Sequence, residues 1–380
     1  MSKYDEPQDK LNCVELKLNR CTIMIFIVGI VGVPNNYGGF EALAENLVER
    51  FSRDNIPTTV FCEKHFSKSR NYLPDIVIER IGFSANGFQS ILYDLIGMVR
   101  AARQGGTILL LGTSATAFLP LIRILWPTSK VVVNMAGMEW KRSKWGWIAK
   151  KYLKLGEYAA VKFSDKLVVD NQGLAEYVKK SYGVDPGVIP YGGDQFSDIP
   201  KKISILEKYN ISPFEYDFAL ARAQPDNNIE MILDAYSRVP KDLLFISNWS
   251  SSTFGREILE RFQRYSNIRL IGPVYDPVEI NTLRSFSRVY IHGHSAGGTN
   301  PTLVEAMHAE LPIVAFDVNF NRHTTENAAL FFKDSSELES IINNLTSEDR
   351  TKVAMNLKEI AERRYRWDQI YEDYLGVLLE

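Results

Sequence analysis

An α/β protein built from two doubly wound domains is what this sequence predicts, and three observations carry the expectation. From Met24 onward, short apolar runs alternate with stretches of helical periodicity, the pattern of parallel strands covered by helices. The alternation falls into two series of similar length, one ending near residue 191 and one beginning near residue 203. In three places, at 29–39, 221–230 and 292–305, a strand-like run passes through a loop into a helix start.

The chain's 380 residues exceed what one ordinary core holds and suit two domains of common size. Apolar residues make up 45% and charged residues 24%, as in a globular protein rather than a disordered or membrane-spanning one. A net charge of −2 gives no overall attraction for nucleic acid, so an anionic partner must be met by a local patch. Cys13, Cys21 and Cys62 are odd in number and lack metal-ligand spacing. With no recognisable signal peptide, they read as free thiols of a reducing, cytoplasmic compartment.

The first 23 residues are polar and aperiodic, and are expected to form a poorly ordered extension. The first strand follows, in Met24-Ile-Phe-Ile-Val28, ending at Gly29. Phe40, Leu43, Ala44, Leu47, Val48 and Phe51 share one face of the next helix, with Glu41, Glu45 and Glu49 elsewhere. Further strands are predicted at Thr58–Cys62, Ile76–Ile81, Thr107–Leu111, Lys130–Asn134, Lys166–Val169 and Val188–Tyr191. The apolar stretch Ile108–Trp126 carries Gly112, Thr113, Ser114, Thr116, Pro120 and Arg123, and so reads as strand, turn and helix rather than a membrane span. Gly192–Lys202 reads as a hinge. The second series is predicted at Phe218–Ala221, Leu243–Ser247, Ile268–Ile271, Val289–His292, Ile313–Phe316 and Ala329–Phe332. Trp367, Ile370, Tyr371, Tyr374 and Leu375 give a last helix its apolar face.

Two glycine loops offer backbone amides to an anion. Gly38 and Gly39 stand at the start of the first helix, where phosphate or sugar can approach; a loop that simply needs glycines reads the same way. The spacing is not that of a dinucleotide fingerprint. In His292-Gly-His-Ser-Ala-Gly-Gly-Thr-Asn-Pro301, Asn300 is the predicted N-cap and Pro301 the first helical residue. That leaves the amides of Gly297, Gly298, Thr299 and Asn300 for a diphosphate. Glu305, one turn further, can accept from ribose hydroxyls, and also reads as a solvated helix carboxylate. Arg222 follows a strand and offers a planar, permanently charged fork to phosphate oxygens, as well as reading as a surface arginine.

Together with Val33–Glu41, Gly137–Trp145, Asp170–Gly173, Ile189–Asp194 and Ala221–Ile229, these segments make the chain from Met24 onward resemble family-4 glycosyltransferases of the GT-B fold. The branch resembled most is that of bacterial capsule and O-antigen rhamnosyltransferases. The resemblance implies two Rossmann-like domains facing a central cleft, an acceptor-side one at 24–195 and a donor-side one at 196–365, with a helix at 366–380 returning to the first. It implies that Arg222 binds the donor diphosphate, that Glu305 binds the ribose, that Gly38 and Gly39 lie near phosphate and sugar, and that Val274 lies near the base. Catalytic roles fall to Arg222, Gly38, Gly39 and His294. Asn227, Val274, Gly297, Gly298, Thr299, Asn300 and Glu305 join Arg222 in donor binding, and Glu139 and Asp170 stand on the acceptor side. The chain departs from the family pattern at Gly297 and Asn227, where a glutamate and a lysine are common, and at Val31 and Ala136, where the branch often has an arginine and an acidic residue.

Residues 140–154 combine aromatic side chains with six basic ones and no acidic one, a composition suited to the anionic inner face of a plasma membrane or to a solvated basic face with inward tryptophans. No D-x-D motif and no histidine cluster of metal-ligand spacing occurs, so arginine and helix N-termini are expected to stabilise the leaving diphosphate without metal or other cofactor. The family implies retention of anomeric configuration, here by front-face transfer, and the branch implies dTDP-rhamnose as donor and a lipid-linked oligosaccharide as acceptor. A nucleotide-sugar epimerase of the same fold, or a catalytically silent partner protein, are the alternative readings.

Overall fold

The computed structural model describes residues 23–35, 38–66, 75–135, 137–141 and 145–380. Apart from Ile23, the expected N-terminal extension lies outside the described residues, with Cys13 and Cys21. So do Asn36 and Tyr37 of the first glycine loop, Ala136, and residues 142–144 of the basic segment. Two compact units divide the chain: one runs to Val169 and takes up again at Val178–Ile189 and Tyr371–Glu380, and the other consists of Asp170–Tyr177 and Pro190–Ile370. Asp170, expected on the acceptor side, therefore belongs with the second unit.

The described strands of the first unit are β1 (Ile25–Val28), β2 (Thr58–Glu63), β3 (Ile76–Ile81), β4 (Thr107–Leu111), β5 (Lys130–Met135), β6 (Lys166–Val169) and β7 (Gly187–Val188). They form one parallel sheet in the order β3-β2-β1-β4-β5-β6-β7, with Ile25 of β1 in register with Thr58 on one side and Thr107 on the other. Both β1 and β4 are buried along their whole length, as strands covered on two faces by helices must be. The helices are α1 (Gly39–Arg53), α2 (Gln89–Gln104), α3 (Leu119–Leu125), α4 (Trp147–Phe163) and α5 (Gln172–Tyr182), the last crossing the boundary between the units. β7 is shorter than the sequence suggested. Ile189 N still donates to Val169 O at 2.9 Å, but Pro190 has no N–H with which to extend the ladder. Glu41, read as lying off the apolar face of α1, is in fact buried: its Oε1 accepts from Val31 N at 2.9 Å.

In the second unit, α6 (Ser204–Lys208), β8 (Tyr216–Leu220), α7 (Ile229–Tyr236), β9 (Asp242–Ile246), α8 (Thr253–Phe262), β10 (Ile268–Ile271), α9 (Pro277–Ser285), β11 (Tyr290–His292), α10 (Pro301–His308), β12 (Ile313–Phe316), α11 (Asn319–Thr324), β13 (Leu330–Phe332), α12 (Ser335–Asn344) and α13 (Ser347–Arg364) follow in chain order. The sheet is parallel, in the order β10-β9-β8-β11-β12-β13. Alternate residues of its strands feed two cores, as the two-residue period of a strand requires. Phe218, Leu244, Tyr290 and Ile313 pack with Leu303, Met307 and Leu357. Ala219, Phe245, Ile291 and Val314 pack with Ile232, Leu233 and Ile342.

The last helix, α14 (Trp367–Leu379), begins in the second unit and is counted with the first from Tyr371 onward. Within the first unit, Tyr371 donates to Asp54 at 2.6 Å and Asn134 donates to the Tyr374 hydroxyl at 2.5 Å. Lys130 Nζ and Thr107 Oγ1 close the carbonyls of Val377 and Leu378 at 2.8 and 3.2 Å. Both sheets reverse direction of winding at one point, between β1 and β4 in the first and between β8 and β11 in the second. Such a point opens a crevice at the carboxyl ends of the strands, where α/β proteins bind ligands.

Candidate functional site

The crevice of the second unit is lined by the loop after β8 and the loop after β11. Their own polar groups stitch the two together. Ser295 N and Oγ both donate to Asp226 O, at 2.9 and 2.8 Å, and Asn228 Nδ2 donates to Gly293 O at 2.9 Å. Asn227 is buried, with Nδ2 on Arg222 O at 2.7 Å and Oδ1 at 2.5 Å from His294 Nδ1. Because Nδ2 faces a carbonyl, the oxygen must face the histidine, so His294 Nδ1 carries the proton and donates. Asn227, where the sequence resemblance would place a lysine, thus has both ends of its amide engaged within the loops. Arg222 itself is exposed, its guanidinium without a hydrogen bond or ion pair among the described residues. An unpartnered fork at the edge of a crevice is a ready site for an anion.

Beyond His294 the loop turns toward α10. Gly297 has φ of +120°, which L side chains rarely adopt, and a Cβ there would stand 3.2 Å from His294 Nε2. A glutamate at Gly297 would therefore be strained. A Cβ on Gly298 would overlap Asp170 Oδ1, so only glycine lets this carboxyl lie on the loop. Asp170 is buried, which holds its pKa well above the usual carboxylate range, and the Thr299 hydroxyl donates to its main-chain carbonyl. Asn171 continues the clamp: its Nδ2 reaches Thr299 Oγ1 and Thr324 Oγ1 at 3.3 and 3.1 Å, and its Oδ1 accepts from Gly173 N at 2.8 Å. Asn300 caps α10 by accepting from Thr302 N at 3.0 Å, and Pro301 fills the first turn, as the sequence predicts. Leu303, Val304, Ala306 and Met307 anchor the helix in the core, the larger side chains contributing roughly 1.5–3 kcal/mol each.

Glu305 is largely withdrawn from solvent, its carboxylate held on both oxygens. Arg284 Nη2 lies 2.5 Å from its Oε2 and Gln195 Nε2 donates to its Oε1 at 2.7 Å. Burial raises its pKa, and the charge of Arg284 opposes the rise. Sequence reasoning missed Arg284, although a signal was there: it stands four residues after Ile280 on a face otherwise buried. His292, the other histidine, is buried, which holds the imidazole well below its usual pKa. Val274 lies past the carboxyl end of β10, half-buried against the core. In the first unit, Gly38 precedes α1 in extended conformation and accepts from Ala42 N at 3.1 Å, while Glu139 begins a single turn after β5. Among the described residues no group of His, Cys, Asp and Glu is gathered as a metal ion would require.

A family model described as "Domain of unknown function (DUF1972)" matches residues 22–194. No curated protein matches the chain in sequence. Among solved structures, the chain is similar to sucrose-phosphate synthase from Thermosynechococcus elongatus, at 14% identity and a TM-score of 0.79 over 93% of this chain and 98% of that one. The fold is GT-B. It is equally evident in the likeness to HepE of Anabaena in complex with UDP and glucose (14% identity, TM-score 0.71, 94% and 99% covered). A third similar structure is α,α-trehalose 6-phosphate synthase from Burkholderia multivorans (11%, 0.69, 94% and 96%). The likeness extends over nearly the full length of each of these structures.

Proposed function

We propose that this protein is a retaining hexosyltransferase that moves a sugar from a nucleotide donor to a lipid-linked oligosaccharide during synthesis of a bacterial surface polysaccharide. The observation that carries the reading is the crevice at the switch point between β8 and β11, where an unpartnered Arg222 flanks a loop whose amides run into the capped start of α10. Charge developing on a departing diphosphate would be met there by a fixed guanidinium and fixed dipoles, with no divalent metal required. Glu305, one turn along α10, is the acceptor for ribose hydroxyls. L-Rhamnose from dTDP-rhamnose is the donor suggested by the sequence resemblance, with UDP-glucose and UDP-galactose as the alternatives to be run beside it. HepE, similar in fold, has been seen with UDP-glucose. Isothermal titration of dTDP, UDP and their sugars, followed by transfer assays, tests the reading. Absence of binding by every nucleotide would overturn it.

A membrane surface as the place of reaction is supported by the first unit. Leu121, Ile124 and Leu125 on α3, Phe88 and Leu92 at the start of α2, and Ile148 and Leu155 on α4 are exposed, and Trp147 is 68% exposed. The carboxylates of these three helices, Asp94 and Glu157, are both buried, so the charges left at the surface are basic: Arg100, Arg103, Lys151 and Lys162 are exposed, and Arg123, Lys150 and Lys154 half-buried. Apolar side chains framed by cations fit an anionic lipid interface. No helix among the described residues is long and apolar enough to cross a membrane. Exchange of Lys150, Lys151 and Lys154 for glutamate is expected to weaken sedimentation with phosphatidylglycerol vesicles at low salt, and unchanged sedimentation would refute the surface.

A further inference from the structure

The hinge segment predicted from the sequence turns out to grip the carboxylate of the donor site. Tyr191-Gly192-Gly193-Asp194-Gln195 runs between α10 and the start of α14. A Cβ on Gly192 would stand 2.5 Å from the Trp367 ring, and one on Gly193 would stand 2.7 Å from the main chain of Val304 and 2.8 Å from Glu305 N. Both glycines are thus the condition for close approach, one to the tryptophan and the other to the backbone that carries Glu305. Gly193 N donates to Tyr365 O at 2.9 Å, and Asp194 Oδ1 accepts from Trp367 N at 2.9 Å. Gln195 then spans the gap: its Oε1 accepts from Trp367 Nε1 at 2.8 Å, and its Nε2 donates to Glu305 Oε1 at 2.7 Å.

The direction of this chain is fixed by chemistry. An indole N–H can only donate, so the oxygen of the Gln195 amide must face Trp367 and the NH2 must face Glu305. A flipped amide would set N–H against N–H at one end and oxygen against oxygen at the other. Arg284, also donor only, holds the second oxygen of Glu305. An ionised carboxylate offers about four lone-pair positions, and these two neighbours occupy one on each oxygen. One acceptor position on each oxygen is left, enough for both ribose hydroxyls of a UDP donor or for the single 3′-hydroxyl of a dTDP donor.

We propose that Gln195, oriented by Trp367, is a positioning residue that presents Glu305 to the ribose of the donor nucleotide. The inference rests on the reading of this crevice as a nucleotide-sugar site. Trp367 acts at one remove: its ring fills the space above Gly192, and its N–H decides which way Gln195 points. The role is one of donor binding, since the ribose gains no charge as the sugar leaves.

The test uses the full chain with three variants, Gln195→Ala, Gln195→Glu and Trp367→Phe, the last keeping an aromatic ring over Gly192 while losing the N–H together with the five-membered half of the indole. UDP and dTDP are titrated beside their analogues lacking the ribose hydroxyls, and beside pyrophosphate. Wild type is expected to favour each nucleotide over its analogue. Gln195→Ala should weaken nucleotide binding roughly 10- to 100-fold, the worth of a hydrogen bond to an ionised group. Trp367→Phe should weaken it less, and Gln195→Glu more, because it sets two carboxylates together. Pyrophosphate should bind all four proteins alike, and the donor KM of the variants should rise far more than kcat falls. Variants that keep the full preference for ribose hydroxyls would overturn the proposal, as would variants that lose pyrophosphate and nucleotide equally, the mark of a merely structural role. A wild type that binds none of the probes would overturn the reading of the crevice itself, and with it this role.

Discussion

Arg284→Met tests how the second unit tolerates the carboxylate it has buried. Arg284 is 1% exposed, with its guanidinium over the Phe196 ring at 4.8 Å and its Nη2 on Glu305. Methionine fills much of the stem's volume and keeps the contact with Phe196, so the perturbation is chiefly the loss of one charge. Glu305, its side chain 11% exposed, would keep only the neutral donor Gln195. Breaking a buried pair in this way costs about 3–5 kcal/mol, because the surviving charge is uncompensated. That is a large share of the ~5–15 kcal/mol that holds a domain folded. The sign with pH follows from the raised pKa of Glu305. A carboxyl whose folded pKa lies above its unfolded one is most favourable to the fold below the unfolded value, and that advantage is lost as pH rises through the folded value. Loss of Arg284 raises the folded value further, so the defect should be smallest in acid and largest above neutrality. Adding Glu305→Gln should restore most of the lost stability, giving a coupling of about 2–3 kcal/mol in a double-mutant cycle. Urea unfolding followed by tryptophan fluorescence at pH 5 and pH 8 measures each quantity. A single variant within about 1 kcal/mol of wild type, with no rescue in the double variant, would refute the reasoning.

Arg222→Ala should leave stability within about 0.5 kcal/mol of wild type, since the side chain is exposed, yet lower kcat and kcat/KM together by roughly 2–4 kcal/mol of transition-state stabilisation. Glu305→Gln should mainly raise the donor KM, and steady-state kinetics with the true donor separates the two patterns. Activity should survive EDTA; loss restored by magnesium would show that Arg222 and the backbone amides do not suffice for the leaving group. Asp94, buried on α2 and hydrogen-bonded by the Ser114 hydroxyl, has its pKa pushed up to about 7 by burial. Its contribution to stability is therefore whole below about pH 4 and lost as pH rises through 7, a fall of about 4 kcal/mol at roughly 1.4 kcal/mol per unit, which Asp94→Asn should abolish in a pH series of urea titrations.

Much of the fold was legible because parallel strands buried on both faces leave unmistakable apolar runs. Each of β1 to β13 has a counterpart in the runs read from the sequence, and the cap of α10 could be named from Asn300 and Pro301 alone. Legibility failed where a residue's role depends on what lies far off in the chain. Glu305 was readable as a helix carboxylate, but not its grip by Gln195, 110 residues earlier, nor by Arg284. Asp170 follows a strand of the first sheet, and nothing local says that its carboxyl lies on Gly298. Gly297 and Asn227 looked like losses from a family pattern. In the structure Gly297 holds a backbone angle that favours glycine, and Asn227 fixes the tautomer of His294. Composition marked the basic segment at 140–154, but the exposed apolar faces of α2 and α3 that flank it become visible only when three helices are assembled on one sheet.

The return of Tyr371–Glu380 to the first unit has a consequence for synthesis on the ribosome. Domains emerging from the ribosome generally fold in order, as the chain grows at about 5–20 residues per second. The first unit of this protein cannot do so completely. Lys130, Thr107 and Asn134 wait for Val377, Leu378 and Tyr374, which are translated only after the whole stretch Pro190–Ile370. For a time on the order of 10–40 s at such rates, the nascent first unit presents the surface that α14 will cover.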